Sequence, residues 1–162
     1  GVTIRPARPG DEADIYRMVV ELAEYERAAD EVSSTPRDLA AALFADDPQV
    51  SCHVAEQDGS IVAFALWYVT YSTWTGRHGI WLEDLYVRPS HRGRGTGRAL
   101  LAELAAECER REYRRLEWWV LDWNSPALRF YDSLGATAMS EWTVRRMDGE
   151  SLTRLASEVA DR

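Results

Sequence analysis

The stretch HRGRGTGRALLAELAAECER, residues 91–110, constrains this chain most, because three glycines at alternate positions lead straight into an apolar pattern of helical spacing. Glycine loses more conformational entropy on folding than any other residue, so three glycines before a helix indicate a specific requirement on the backbone there. Without a Cβ, their N–H groups can approach a ligand, and the helix start adds unpaired N–H groups and a positive dipole end. This arrangement suits phosphate. The glycines are Gly93, Gly95 and Gly97, and the arginines that add positive charge are Arg92, Arg94 and Arg98.

The spacing of the three glycines distinguishes between the known kinds of phosphate-binding loop. A P-loop ends in Gly-Lys-Ser/Thr, whereas this stretch has Gly97 followed by Arg98 and Ala99. A Rossmann fingerprint, G-x-G-x-x-G, needs a third glycine where Arg98 stands, and it needs a strand-helix-strand unit that the start of the chain does not offer. Both nucleotide-binding loops are therefore disfavoured.

Composition bounds the class of protein. The chain has 162 residues, 46% of them hydrophobic and 28% charged, which is typical of one globular domain, and we expect a single domain over residues 1–162. A net charge of -8 repels nucleic acid and favours a cationic substrate. The two cysteines, Cys52 and Cys108, lack metal-binding spacing, so we expect buried thiols and no metal site. No apolar run is long enough for a membrane span, and a cytoplasmic location without a membrane partner is the default expectation.

The pattern along the chain predicts an α/β (α+β) domain with a mixed, mostly antiparallel central sheet flanked by helices. Asp58-Gly59 between two apolar runs is a strong hairpin signal, and Thr35, Pro36 and Asp38 begin a capped helix. Predicted strands cover residues 2–7, 50–57, 61–71, 79–87, 116–122 and 137–147. Predicted helices cover 11–28, 35–45, the residues after Gly95, 124–135 and the C-terminal residues.

The stretch RGRGTG, residues 92–97, resembles the coenzyme A loop of the GNAT acetyltransferases, R/Q-x-x-G-x-G/A, and lies likewise between a strand, WLEDLYVRP, and a helix. ELAEYE, FALWYVTYSTWTG, WLEDLYV and WNSPALRFYDSLGA are similar to segments of diamine (spermidine/spermine) N-acetyltransferases and thialysine acetyltransferases. This resemblance covers residues 4–147. It implies a GNAT fold, acetyl-CoA as acetyl donor, a small amine as acceptor, direct attack in a ternary complex and a homodimer.

Acetyl transfer to an amine poses two proton problems. An alkylammonium with a pKa near ~10.4 must lose a proton before it can attack, and the leaving thiolate benefits from a proton donor. The resemblance implies Tyr131 as that donor, although core packing beside Phe130 is the alternative for this tyrosine. Glu83 is our predicted base, acting through a water. Strand alternation predicts that Glu83 and Asp84 face opposite sides of the sheet, and solvent exposure or a salt bridge is the alternative for this acidic pair.

The resemblance also implies two binding sets. Carboxylates and aromatic faces suit a cationic acceptor, and the acceptor set is Tyr25, Glu26, Trp74, Glu83 and Asp84. Asn124 is either a helix cap alone or also a contact to the pantetheine arm. The implied coenzyme A set is Leu85, Tyr86, Val87, Arg92, Gly93, Arg94, Gly95, Thr96, Gly97, Arg98, Asn124 and Tyr131.

Several interpretations stay open at this point. Arg27 follows Glu26 where related polyamine enzymes have further acids, and its positive charge would repel a cation, which counts against specificity for spermidine or spermine. The acceptor stays open among a polyamine, a diamine and an amino acid similar to ornithine, lysine or thialysine. Acetylation of a peptide is an alternative within enzymes. A protein that binds acyl-CoA as a sensor, without catalysis, is an alternative that is not an enzyme. The presence of Tyr131, Glu83 and Asp84 disfavours this alternative. A nucleic-acid module built on RGRG is disfavoured by the acidic charge.

Overall fold

The computed structural model describes residues 1–161, and the chain forms two compact units, Gly1–Leu121 and Asp122–Arg162. The first unit holds the sheet and three α-helices, and the second holds two α-helices. The expectation of one domain over residues 1–162 stays a prediction.

The sheet of the first unit is mixed and mostly antiparallel, as predicted. Its five strands lie in chain order and every neighbouring pair is antiparallel except the last, which is parallel. The hairpin at Asp58 and Gly59 is confirmed, and both residues have positive φ angles, 51° and 80°, as a type I′ turn requires. The strands are β1 Thr3–Pro6, β2 Ser51–Gln57, β3 Ser60–Ser72, β4 Arg77–Val87 and β5 Arg115–Glu117.

Helices cover the sheet of this unit. The capping box of the second helix is confirmed, because Thr35 and Asp38 each accept the other's backbone N–H. Ile15 and Met18 pack with Phe64, in one apolar cluster with strand residues. The helices are α1 Glu12–Tyr25, α2 Pro36–Leu43 and α3 Thr96–Arg111, and α3 packs against all five strands. Complete burial of such side chains stabilises the fold by about 1.5–3 kcal/mol each.

Two boundaries in this unit differ from the sequence prediction. Helix α1 ends at Tyr25 and not near Ala28, because Arg27 adopts the left-handed region with φ 62° and the helix cannot continue through it. Strand β5 spans only Arg115–Glu117, since its ladder with β4 stops where Trp81 pairs with Glu117.

The second unit contains α4 Ser125–Ser133 and α5 Gly149–Ser157. The strand predicted over residues 137–147 is wrong, because these residues form no ladder with any part of the chain described. Alternating side chains make a segment able to pair, but a strand also needs a neighbour for its hydrogen bonds. Gly135 has φ 84° just after α4, and the helix ends there as predicted.

Candidate active site

The glycine stretch forms a loop that begins a long helix. Gly93 and Gly95 have φ angles of 77° and 80°, a region in which a side chain is strained, and Gly95 is the residue just before α3. The first hydrogen bond inside α3 runs from the Ala99 N–H to the Gly95 carbonyl. The amides of Thr96, Gly97 and Arg98 precede it and are the donors that a helix start offers to an anion.

The three arginines of this loop differ in their surroundings. Arg94 and Arg98 are exposed, and within residues 1–161 neither makes an ion pair, hydrogen bond or ring contact. Arg92 points back to the sheet, and its Nε donates to the Val87 carbonyl at 2.8 Å. Its guanidinium carbon lies 5.3 Å from the centre of the Tyr86 ring and 5.9 Å from that of Tyr25.

Strand β4 leaves one edge of its backbone open beside the loop. On one side it pairs with β3 as far as Val87 opposite Ala63. On the other side it pairs with β5 only over Gly79–Trp81, and no strand in residues 1–161 continues that ladder. The backbone of Leu85, Tyr86 and Val87, predicted to bind the pantetheine amides, therefore lies beyond the end of the β5 ladder.

A β-bulge in β4 brings two carboxylates to one face of the sheet. Leu66 pairs with Asp84, but the next residue, Trp67, pairs with Leu82, so Glu83 is an extra residue in β4. Residues directly opposite each other share a face, so Asp84 lies on the Leu66 face and Leu82 on the Trp67 face. Glu83 follows Leu82 and therefore falls on the Asp84 face. The prediction that Glu83 and Asp84 face opposite sides is wrong, because it assumed an uninterrupted strand.

These two acids and Glu26 lie close enough for their charges to interact. Burial, then Glu83, then Glu26 raise the pKa of Asp84 to about 7. Burial and the charge of Glu83 also raise the pKa of Glu26 above its usual value. Both shifts have the same cause, which is that partly desolvated like charges disfavour ionisation. Within residues 1–161 none of the three acids has a salt-bridge partner, so the cluster carries uncompensated negative charge.

Two neighbours of Glu83 were not foreseen from the sequence. The Trp81 Nε1–H donates to Glu83 Oε1 at 3.1 Å, and burial followed by the Glu83 charge raises the pKa of Tyr68. Tyr68 pairs directly with Trp81 across the strands, so both side chains lie on the acidic face. Trp81 precedes Glu83 by two positions in a strand, and this spacing was the available signal.

The two aromatic residues predicted for the acceptor site, Tyr25 and Trp74, lie in different parts of the structure. Tyr25 is 43% exposed at the end of α1, directly before Glu26 of the acidic cluster. Trp74 is 81% exposed in the turn between β3 and β4. Strand β4 rises about 3.3 Å per residue, so this turn lies roughly 20 Å from Glu83 along the strand. Within one chain, Trp74 is not brought to the acidic cluster, and its role stays a prediction.

The second unit contains the remaining two predicted residues. Asn124 is confirmed as the cap of α4, since its Oδ1 accepts the Ala127 N–H at 3.4 Å. Tyr131 lies in α4, and its ring is 5.5 Å from that of Phe130 in a tilted contact. The roles of Asn124 towards pantetheine and of Tyr131 as proton donor stay predictions.

A shallow polar cavity lies at the turn end of the β3–β4 hairpin and contains none of the predicted site residues. Arg77, His78, Arg115 and Glu117 are among the residues that line it. In the part of the chain described, no group of His, Cys, Asp and Glu side chains could hold a metal ion. Over the same residues, no helix combines the length and apolar character needed to cross a membrane.

Comparison with known proteins decides the family. The chain matches the model of the Acetyltransferase (GNAT) family over residues 14–136. It belongs to the GNAT acetyltransferases. The protein is therefore an acetyltransferase, and its sheet flanked by helices is the GNAT fold.

Individual relatives extend the match to nearly the whole GNAT chain. The thialysine N-epsilon-acetyltransferase of Sus scrofa is 39% identical over 97% of this chain and 98% of its own length. A spermidine/spermine N(1)-acetyltransferase-like protein of Homo sapiens is 33% identical over 96% of this chain, which corresponds to 24% of that longer protein. Among solved structures, an integron cassette protein from the mobile metagenome of V. cholerae is 26% identical, with a TM-score of 0.79 over 96% of this chain and 97% of its own.

Proposed function

We propose that this acetyltransferase moves the acetyl group of acetyl-CoA to a primary amine of a small cationic acceptor, by direct attack in a ternary complex. The acidic cluster of Glu26, Glu83 and Asp84 is the observation that supports a cationic acceptor. Burial and the neighbouring negative charge raise the pKa of Glu26 and of Asp84, and a ligand that brings positive charge relieves this repulsion. An ammonium group supplies that charge.

The glycine loop and the open edge of β4 support acetyl-CoA as the acetyl donor. The amides of Thr96, Gly97 and Arg98 precede the first hydrogen bond inside α3, and unpaired amides at a helix start suit a pyrophosphate. Arg92, Arg94 and Arg98 supply the positive charge. The backbone of Leu85, Tyr86 and Val87 offers strand-like hydrogen bonds to the amides of pantetheine. Asn124 is proposed as a further contact. When bound, the thioester supplies an acetyl group that is activated towards attack.

Proton removal is assigned to Glu83 and Asp84 together and not to Glu83 alone. Glu83 lies on the same face of the sheet as Asp84, and its charge is one of the causes of the raised pKa of Asp84. A general base works best when its pKa lies near the working pH, and the value of about 7 for Asp84 meets this condition. Glu83 is exposed and meets the ammonium through a water, whereas Asp84 stores the proton. Tyr131 is proposed to donate a proton to the leaving thiolate.

The acceptor class is proposed from charge and relatives together. Thialysine and spermidine/spermine appear in the names of relatives 39% and 33% identical to this chain. A polyamine, a diamine and an amino acid similar to lysine or thialysine all present a primary ammonium on a flexible apolar chain. Tyr25, half exposed beside Glu26, offers an aromatic face to such a cation.

We also propose a cytoplasmic homodimer. The second unit exposes several large apolar side chains, among them Met139, Trp142, Val144, Met147, Leu152, Leu155 and Val159. Exposed apolar groups at this density are typical of a surface that another protein covers. A second copy is the partner that the resemblance to diamine acetyltransferases implies.

A release assay for coenzyme A tests the function. The protein is incubated with acetyl-CoA and one acceptor at a time, and a thiol reagent reports the product. The acceptors are spermine, spermidine, putrescine, ornithine, lysine, thialysine and a lysine peptide. We expect turnover with at least one small amine. Turnover with the peptide alone would favour peptide acetylation, and tight acetyl-CoA binding without any turnover would favour the sensor.

A further inference from the structure

Arg92 occupies a position between the two halves of the proposed site. It is the first residue of the glycine loop, yet its side chain lies on the sheet and on α1, where its Nε donates to Val87 and its guanidinium lies over Tyr25 and Tyr86. Arg94 and Arg98 of the same loop make no such contact within residues 1–161. A coenzyme-binding residue is thus in contact with a residue of the acceptor set.

The contact also reaches the acidic cluster. Tyr86 donates its hydroxyl hydrogen to Glu21 Oε1 at 3.2 Å, which ties the end of β4 to α1. Tyr25 lies one helical turn after Glu21 and directly before Glu26. Arg92 therefore completes a connection from the loop through two tyrosines to the helix end that bears Glu26.

The guanidinium of Arg92 occupies the kind of position that an acceptor cation would take. A cation over an aromatic ring is attracted by the negative face of the ring, and a second cation at the same ring is repelled by the first. A guanidinium also binds phosphate more strongly than it binds an aromatic face, because its hydrogen bonds to phosphate are charge-assisted and bidentate.

On the basis of the proposed function, we propose that Arg92 couples the two substrates by exchanging partners. In the free protein it lies over Tyr25 and competes with the acceptor ammonium. Coenzyme A draws the guanidinium to its phosphates, and the acceptor ammonium then meets no competing charge from Arg92 at the Tyr25 ring. Coenzyme A and the amine then bind with positive cooperativity, and Arg92 acts as a positioning residue for the amine.

Calorimetry on the full chain tests this coupling. The affinities of thialysine and of spermidine are measured without and with saturating coenzyme A, whose free thiol allows no turnover. We expect coenzyme A to tighten binding of at least one amine about tenfold, within the usual range of coupling between sites. In Tyr25→Leu the factor falls to about one, and coenzyme A alone binds about two- to fivefold tighter, because Arg92 loses the competing ring.

Arg94→Ala is the matched control. This loop arginine does not contact Tyr25, so its loss weakens coenzyme A binding but leaves the coupling factor unchanged. Coupling that persists in Tyr25→Leu, or that is absent in the wild type, would overturn the proposal while leaving the acetyltransferase function intact. A wild-type protein that fails to bind coenzyme A would overturn the proposed donor site and this proposal with it.

A second readout needs no acceptor. The Nε–H resonance of Arg92, assigned by its loss in Arg92→Lys, reports the environment of the guanidinium. We expect this resonance to shift when coenzyme A is added. An unchanged resonance at saturating coenzyme A would show that the guanidinium stays on the rings, and it would contradict the exchange.

Discussion

At the residue scale, Asp84 links the stability of the fold to its chemistry. Its pKa is raised to about 7 from the value near ~3.9 of an unfolded chain, so the unfolded state holds fewer protons between these two values. Stability is therefore greatest below about pH 4 for this group and falls as the pH rises to about 7. Asp84→Asn removes the penalty, and we expect a free energy of unfolding about 1–3 kcal/mol higher than wild type at pH 8.

Denaturant unfolding at several pH values checks this. The difference between Asp84→Asn and wild type should shrink to a small fraction near pH 4, where the carboxyl group is protonated in the folded state and about half protonated in the unfolded state. Glu109→Gln, an ordinary surface change at an exposed acid on α3, should alter the free energy of unfolding at pH 8 by no more than about 0.5 kcal/mol. A constant difference from pH 4 to pH 8 would refute the raised pKa.

The two proposed proton-transfer residues make a second prediction at this scale. Glu83→Gln removes a proton acceptor and Tyr131→Phe removes a hydroxyl donor, so each should lower kcat about 100-fold or more. Acetyl-CoA affinity, measured by calorimetry, should stay within about twofold of wild type. Full activity in either variant would remove that residue from the mechanism.

At the element scale, two glycines of the loop before α3 should respond oppositely to a side chain. Gly95 has φ 80° and open space where a Cβ would stand, so Gly95→Ala costs about 1 kcal/mol through backbone strain alone. Gly97 lies in the helix with an ordinary φ, and a Cβ there would meet Val87 at 3.7 Å. Gly97→Ala should therefore stabilise the free protein by about 0.5 kcal/mol. Thermal unfolding without ligand measures both, and equal effects would contradict the local geometry.

The elements also show where sequence patterns succeed. The hairpin at Asp58-Gly59 and the cap at Thr35 depend on residues close in the chain, and the sequence predicts both. The bulge at Glu83 depends on the register between two strands, which alternation within one strand does not contain. The failed strand over residues 137–147 has the same cause, because pairing requires a partner. The direction of Arg92 was likewise not predictable, since its ring partners come from α1 and β4.

At the scale of the whole molecule, the exposed apolar residues of the second unit predict self-association. Trp142 and Leu155 are 66% and 50% exposed, and a second copy that covers them would bury apolar area. We expect a dimer in sedimentation velocity. Replacing both residues by serine should weaken it at least tenfold, whereas Tyr71→Ser, an equally exposed change on β3, should not. A monomer at all concentrations would rule out the proposed homodimer.

Transfer of the acetyl group is the event on which the proposed chemistry of the whole molecule depends. The most direct measurement follows a labelled acetyl group from acetyl-CoA in one reaction that contains thialysine, spermidine and a lysine peptide in equal amounts, with mass spectrometry of all three. We predict that the label appears on a small amine, at a rate that Glu83→Gln lowers about 100-fold or more. Label found only on the peptide, or on no acceptor while acetyl-CoA binds, would contradict the proposed function.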